Sequence, residues 1–335
     1  MIFNLANLTG NKVSTDIKDY SLLITAPSGF GKTPFLYELF GDRALFLSLE
    51  NSTKGVAGAH SVPVDTYETL NAYVNQLQQP QVREKYDVVV IETLFLLDSL
   101  VENSITDSYG KELLGDCIKY NKAYKIVDKK YVKLIKKIQK MGYGMVYVSH
   151  PVEKVVTLAD GSKITKFEPR LSDRAKSILE PEIDIKLFCH FNPQGEKCIF
   201  TSSTLFFDAR CRVGDMDATI PFDANIFKEK FAEGIERRIQ NKDMLVDHLE
   251  NRNGVFKHDE TFEELMSKIG ELGKEIEEKG LIEKGNNIIF DELGLDDDGK
   301  QRTLADCNEK MCPTLRVIIH NLEDLLEKTK NKGVA

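Results

Sequence analysis

The sequence predicts an α/β fold, in which a mainly parallel sheet is flanked by helices and is followed by an acidic helical C-terminal region. Over residues 1–220, short apolar runs alternate with segments of helical periodicity. The runs at 21–25, 44–49, 87–92 and 145–149 have the length and composition of buried strands. Strands that alternate with helices are joined by crossovers and pair in parallel, so this order favours a sheet covered on both faces.

Charge divides the chain into two parts. Residues 1–222 carry 27 basic and 27 acidic side chains, so the entire net charge of −8 lies in residues 223–335. From about residue 225 the chain is polar, with apolar side chains at helical spacing. We therefore expect one domain over 1–224 and an acidic helical region over 225–335. A net acidic chain is no general nucleic-acid binder, so any DNA contact has to be local.

Composition excludes several classes of protein. No apolar stretch is long enough to span a membrane, and the N-terminus lacks the basic-then-apolar pattern of a secretion signal. The six cysteines form no C-x-x-C pair, which favours free thiols over zinc ligands or disulfides. We expect a cytoplasmic protein with no membrane partner.

The most informative motif follows the first predicted strand. Its eight residues read Ala26-Pro-Ser-Gly-Phe-Gly-Lys-Thr33, and a helical segment starts near Pro34. The pattern is G-x-x-x-x-G-K-[ST], except that Ala26 stands where the first glycine belongs. Strand, glycine-rich loop and helix in this order predict a phosphate-binding P-loop.

The residue types in this loop suit a nucleotide triphosphate. Gly29 and Gly31 allow the backbone N–H groups to point inward around phosphates. Lys32 is expected to reach the β- and γ-phosphates, and the Thr33 hydroxyl to bind Mg²⁺. Pro34 has no N–H, so we expect a weaker hold on the α-phosphate. The predicted ligands are ATP and Mg²⁺, and the predicted nucleotide-binding residues are Ala26, Pro27, Ser28, Gly29, Phe30, Gly31, Lys32, Thr33 and Pro34.

Hydrolysis of ATP needs more than a phosphate grip. It requires a carboxylate for the Mg²⁺-bound water and a group that activates or positions the attacking water. Glu50 and Glu92 each follow an apolar run, and a third run ends in Ser149-His150. Because ligands of parallel sheets bind at the carboxyl ends of the strands, these side chains are expected to converge beside the P-loop.

The order of these segments resembles that of RecA-type ATPases, in particular the phage-encoded RecA-like AAA-domain recombination and single-strand annealing ATPases of the Sak type. The resemblance covers roughly residues 1–225 and rests on order rather than on any single motif beyond the P-loop. Its later parts are Phe167-Glu-Pro-Arg-Leu-Ser, Glu182-Ile-Asp-Ile-Lys186 and Phe207-Asp-Ala-Arg-Cys-Arg-Val-Gly214. It implies a RecA-like P-loop ATPase core over 1–224.

The resemblance also implies roles for individual residues. Glu50 would polarise the attacking water, and Glu92 would take the place of the usual Walker B aspartate near Mg²⁺. His150 would sense the γ-phosphate. Arg210 and Arg212 resemble a basic pair that reaches the ATP of a neighbouring subunit, which implies a homo-oligomer.

In RecA-type proteins the loop after the sensor strand contacts single-stranded DNA. Here an Ala-Asp-Gly-Ser turn at 159–162 predicts a hairpin over 152–167. The candidate DNA-binding residues are Lys154, Lys163, Lys166 and Arg170. The resemblance places such a protein in the host cytoplasm, and its C-terminal region could bind a single-strand-binding protein or another replication or recombination partner.

Three functions fit the sequence. The leading one is a DNA-stimulated, Mg²⁺-dependent ATPase that acts on single-stranded DNA in phage recombination, annealing or replication. The second is a nucleotide-switched, non-catalytic interaction module, such as a helicase loader or an assembly factor, whose C-terminal region binds a partner. The third is a small-molecule kinase, which lacks a recognisable lid or substrate-phosphate arginine cluster.

Overall fold

The computed structural model describes residues 11–50, 52–118, 122–239, 241–248, 260–295 and 299–330. The chain forms two compact units, of which the first spans residues 10–257. The described residues from 260 onward belong to the second unit.

The first unit is built around a sheet that has nine strands within the described residues. In chain order the strands of this unit are β1 (Val13–Ser14), β2 (Leu22–Thr25), β3 (Ala44–Ser48), β4 (His60–Pro63), β5 (Val88–Glu92), β6 (Gly144–Ser149), β7 (Pro151–Thr157), β8 (Lys163–Pro169), β9 (Ile185–Phe191), β10 (Lys197–Phe200), β11 (Arg210–Cys211), β12 (Thr219–Pro221) and β13 (Leu245–Val246). The sheet order is β12-β10-β9-β2-β6-β5-β3-β4, with β11 also paired to β9. The six strands from β9 to β4 in this order pair in parallel, so the predicted mainly parallel sheet is confirmed.

Helices cover both faces of this sheet. They are α1 (Lys32–Phe40), α2 (Tyr67–Gln76), α3 (Pro80–Lys85), α4 (Leu94–Ser108), α5 (Leu114–Cys117), α6 (Lys122–Lys140), α7 (Asp173–Leu179) and α8 (Ala224–Arg238). Alternate residues of the central strands point into two apolar clusters, one shared with α2, α4 and α6 and the other with α1 and α8. This two-sided burial explains why the strands read as continuous apolar runs.

The boundary between the units lies later than the predicted 224/225. Helix α8 begins at Ala224, where the Asp223 side chain accepts hydrogen bonds from two N–H groups of its first turn. Phe227 and Phe231 of this helix are fully buried in the cluster that contains α1. The polar outer face of α8 has a composition like that of the C-terminal region. The apolar side chains of α8, however, pack in the core beneath the sheet, so this helix is part of the first unit.

The second unit is helical. Its helices are α9 (Phe262–Glu278), α10 (Ile282–Leu293) and α11 (Cys312–Lys330). A capping box between Thr261 and Glu264 starts α9. The core of the unit is formed by Leu265, Ile269, Ile276, Leu293, Leu315, Ile318, Ile319, Leu322 and Leu326. None of the helices in the described part of the chain is long and apolar enough to cross a membrane.

A partly buried histidine, His248, holds the last described segment of the first unit in place. Strand β13 pairs with β1, and two residues further on the His248 Nδ1 atom lies 2.7 Å from Asp19 Oδ1. The His248 Nε2 atom lies 3.4 Å from Asp87 Oδ2, and Lys18 and Arg43 also form ion pairs with Asp87. Burial by itself would lower the pKa of His248, but the hydrogen bond with Asp19 and the nearby carboxylate of Asp87 outweigh it and raise the pKa to about 9.

The interaction of His248 with Asp19 and Asp87 predicts a pH-dependent contribution to the free energy of unfolding. Because the pKa is higher in the folded state than the ordinary value near 6.5, the contribution is full below about pH 6.5 and is lost as pH rises through about 9. The wild-type protein should exceed His248→Gln in free energy of unfolding by on the order of 2 kcal/mol at pH 6. Urea unfolding from pH 6 to pH 9.5 measures the difference. A difference that stays constant over this range would contradict the assignment, and Asp19→Asn should reduce the pH dependence.

Candidate active site

The P-loop adopts the conformation that the sequence predicts at its two glycines. Strand β2 ends at Thr25, and the loop returns to start α1 at Lys32. Gly29 and Gly31 have φ angles of 72° and 108°, in a region that residues with a side chain rarely adopt. Gly31 is the residue before the first turn of α1, so the loop leads directly into the N-terminus of that helix, a position that favours phosphate binding.

Lys32 is held inside this loop. Its Nζ atom donates to Ala26 O at 2.9 Å and to Pro27 O at 3.1 Å, and it lies 3.3 Å from His150 Nδ1. Burial lowers the pKa of Lys32, and the negative charges of Glu92 and Glu50 partly oppose that effect. Among the described residues this buried ammonium group contacts two carbonyls and a histidine, and phosphate oxygens could bind it in place of the carbonyls.

Thr33 and Glu92 form the predicted metal-binding pair. The Thr33 hydroxyl donates to Glu92 Oε1 at 2.6 Å, and both residues are buried. The second oxygen, Glu92 Oε2, is buried and has no hydrogen-bond partner among the described residues. A hydroxyl beside a carboxylate with one unpaired oxygen fits hydrated Mg²⁺, with Thr33 as ligand and Glu92 bound through water. When bound, Mg²⁺ would neutralise charge on the β- and γ-phosphates.

Glu50 and His150 lie at the same edge of the sheet as the P-loop, where the parallel strands β3 and β6 end. Glu50 follows β3, and its Oε1 atom accepts a hydrogen bond from the Thr93 hydroxyl. Its Oε2 atom lies 3.7 Å from His150 Nε2, while the other ring nitrogen of His150 faces Lys32. The side chains of Glu50 and His150 are 31% and 28% exposed, so water can reach them. One imidazole ring, that of His150, thus lies between the Glu50 carboxylate and the P-loop lysine Lys32.

Arg210 and Arg212 do not join this site within one chain. Strand β11 pairs Arg210 with Lys186 near the start of β9, and the start of β9 is level with the start of β2. Both arginines therefore lie at the edge of the sheet opposite the P-loop. Arg210 Nη2 donates to the carbonyls of Glu180 and Ile183, and Arg212 Nη1 donates to Pro181 O. Their predicted role in the site of a neighbouring copy stays a prediction.

The predicted hairpin exists as β7 and β8, and it begins and ends beside His150. Pro151 pairs with Pro169, and the Arg170 N–H donates to His150 O at 2.8 Å. The Arg170 guanidinium stacks on the Phe95 ring at 3.8 Å. The hairpin therefore connects directly to the residue that contacts Lys32.

The hairpin lysines differ in their surroundings. Lys154 and Lys166 lie 3.9 Å and 3.6 Å from the carboxylate of Glu168, which also accepts a 2.8 Å hydrogen bond from Lys176. That hydrogen bond is the main reason why the pKa of Glu168 is lowered. Lys163 is exposed at the start of β8, next to the turn.

One further cation lies beside the P-loop. The Lys197 Nζ atom of β10 donates to Phe30 O in the loop at 2.7 Å. The run at 197–201 is recognisable in the sequence as a strand, but its position beside β9 depends on pairing that the sequence does not specify. Lys197 was therefore not among the predicted site residues.

The fold and this site together define a P-loop nucleotide-binding protein with a RecA-like parallel core. A family model described as an AAA domain matches residues 18–213, and the chain belongs to that family. The chain is also similar to the SPbeta prophage-derived uncharacterized protein YorG of Bacillus subtilis (strain 168). The two are 22% identical over 336 residues, which cover 97% of this chain and 99% of that protein. These similarities support a P-loop ATPase family that occurs in phages.

Proposed function

We propose that this protein is a Mg²⁺-dependent, RecA-like ATPase of the Sak type that acts on single-stranded DNA in phage recombination, annealing or replication. The observation that carries the proposal is the continuous contact from Lys32 through His150 to the hairpin. His150 contacts the P-loop lysine through its ring and the end of the hairpin through its carbonyl. A residue in this position could make DNA binding by the hairpin depend on the bound nucleotide.

The roles of the catalytic residues follow from their contacts. Lys32 would exchange its carbonyl partners for the β- and γ-phosphates, and Thr33 and Glu92 would hold the metal ion. Glu50 accepts a proton from, or orients, the attacking water, and the Thr93 hydroxyl keeps its carboxylate in place. His150 detects the γ-phosphate because its ring contacts both Lys32 and Glu50.

The β7–β8 hairpin supplies the DNA-binding surface in this proposal. It presents Lys154 and Lys163 to solvent, together with the exposed side chains of Val152 and Val155. Ammonium groups bind phosphates, and exposed apolar side chains offer contact to unstacked bases, which are accessible only in single strands. Because the chain is acidic overall, such contacts require a local group of cations, as on this hairpin.

Reversing the charge of Lys163 tests the DNA surface. We expect Lys163→Glu to weaken binding of a fluorescent single-stranded oligonucleotide, in the presence of ATP and Mg²⁺, by about tenfold at low salt. The slope of log affinity against log salt should become shallower by about one. Fluorescence anisotropy at several salt concentrations measures both quantities. Lys228→Glu, which changes an exposed lysine of α8, is the matched control. Equal losses in both variants would contradict a hairpin-specific contact.

A second candidate function is the nucleotide-switched, non-catalytic module. It is favoured by Pro34, which removes an α-phosphate donor, and by Arg210, whose guanidinium is bound by two carbonyls of its own chain. Such a module would bind ATP with negligible turnover, with or without DNA. The acidic second unit would then dock a replication partner or a single-strand-binding protein.

Assembly into a homo-oligomer belongs to the leading proposal. Arg212 is exposed, and its guanidinium makes one described hydrogen bond to a carbonyl, so a neighbouring copy could approach it. If Arg212 acts in trans, a mixture of Arg212→Ala and Glu50→Gln proteins should regain part of the activity that each lacks alone, because one interface then carries both intact residues.

A further inference from the structure

Two side chains extend beyond the edge of the sheet that carries the P-loop. Strand β9 pairs Phe188 with Thr25, the last residue of β2, and then continues to Phe191. Lys197 begins β10 and is the direct cross-strand partner of Phe191. The pair therefore stands beside the loop that follows Thr25, and neither residue has been assigned a role above.

The hairpin that carries this pair is ordered by its own turn. The Asn192 carboxamide oxygen accepts hydrogen bonds from the backbone N–H groups of Gln194 and Glu196. The Asn192 Nδ2 atom donates to the Glu196 carboxylate at 2.8 Å. The Glu196 carboxylate is thus bound to Asn192. These hydrogen bonds order the turn and keep Phe191 and Lys197 opposite each other.

Both side chains contact the P-loop residue Phe30. The rings of Phe30 and Phe191 meet edge to face at 5.4 Å, and Lys197 Nζ lies 2.7 Å from Phe30 O and 5.0 Å from the Phe30 ring. Phe30 is 3% exposed, but Phe191 is 48% exposed. Phe191 therefore offers an open aromatic surface that is anchored along one edge.

The order of strands sets the direction in which a bound nucleotide extends. Glu92, Glu50 and His150 follow or end strands β5, β3 and β6, which all lie on one side of β2. Strands β9 and β10 lie on the other side. If the terminal phosphate faces the three catalytic side chains, the α-phosphate and the base point toward Phe191 and Lys197.

We propose that Phe191 and Lys197 form the subsite for the nucleobase and the α-phosphate of the bound nucleotide. The base stacks on the exposed Phe191 ring, and the Lys197 ammonium group contacts the α-phosphate. Lys197 supplies the positive charge where Pro34 lacks the usual N–H donor. The inference rests on the proposed ATP binding and adds the residues that recognise the part of ATP outside the P-loop.

Binding measurements with ATP and with pyrophosphate test this subsite. Pyrophosphate occupies the phosphate grip without a base or an α-phosphate. We expect Phe191→Ala to weaken ATP binding by about tenfold, and Lys197→Met to weaken it by a similar factor. Both variants should bind pyrophosphate within about twofold of wild type, and Lys197→Arg should recover most of the ATP affinity. Isothermal titration calorimetry on the full chain with Mg²⁺ gives these constants.

The controls separate this inference from the proposed function. Phe290→Ala and Lys228→Met change exposed side chains of the same types outside the site and should leave ATP affinity unchanged. Wild-type affinity for ATP in Phe191→Ala and Lys197→Met would overturn the subsite and leave ATP binding intact. An equal loss of pyrophosphate binding in Lys197→Met would show that Lys197 only tethers the P-loop, which also overturns its role in the subsite. A wild-type protein that does not bind ATP would overturn both the subsite and the proposed function.

Discussion

Replacing Glu50 by glutamine is expected to lower the rate of ATP hydrolysis by roughly 10²–10⁴-fold, the range found when a general base is removed. The Glu50 carboxylate is accessible to water, is fixed by the Thr93 hydroxyl, and lies beside His150. Glutamine keeps the size of the side chain and an acceptor for Thr93 but cannot take a proton. The rate of phosphate release in single-turnover and steady-state assays measures the effect.

Binding of ATP should survive this substitution. Glu50 has no described hydrogen bond to residues 26–33, so the dissociation constant of ATP should change by less than about threefold. Glu68→Gln, at an exposed position in α2, serves as the control for the loss of one negative charge. Hydrolysis at the wild-type rate in Glu50→Gln would exclude the proposed role of Glu50.

Replacing Lys32 by alanine is expected to weaken ATP binding by at least about 100-fold. Lys32 is the buried cation of the P-loop, and hydrogen bonds to charged groups contribute about 1.5–3 kcal/mol each. The expected loss corresponds to two such bonds, to the β- and γ-phosphates. Equilibrium titration with ATP and Mg²⁺ provides the measurement.

Thermal stability has to be measured as well, because a folding defect in Lys32→Ala would also lower ATP affinity. In the structure, Lys32 Nζ also bridges Ala26 O and Pro27 O, so its loss could loosen the loop. Thermal unfolding of Lys32→Ala without nucleotide measures this effect separately from the loss of ATP affinity. Lys228→Ala should change neither ATP affinity nor thermal stability. Retention of wild-type ATP affinity in Lys32→Ala would contradict the phosphate-binding role.

Much of the fold and part of the site follow from local sequence. The strands that end at Thr25, Glu92 and Ser149 are continuous apolar runs, and buried parallel strands require that composition. Because such strands share one carboxyl edge, the approach of Lys32, Glu92 and His150 could be predicted without knowledge of the strand order. The hairpin after His150 was likewise marked by its own turn residues.

The remaining features depend on contacts between distant parts of the chain. The position of Arg210 is set by the pairing of β11 with the start of β9, which carries it to the opposite edge of the sheet. Lys197 reaches Phe30 across a sequence separation of 167 residues. His248 approaches Asp19 across 229 residues. No periodicity or short motif encodes these pairings, because each depends on how separate elements pack.

The most direct test of the proposed function is the rate of ATP hydrolysis with and without single-stranded DNA, for wild type and for Lys32→Ala. We expect Mg²⁺-dependent hydrolysis by wild type that single-stranded DNA increases several-fold, and no hydrolysis above background by Lys32→Ala in either condition. Equal rates with and without DNA, together with no retention of DNA, would contradict the proposed action on single strands. Tight ATP binding with no turnover in either condition would instead support the nucleotide-switched module.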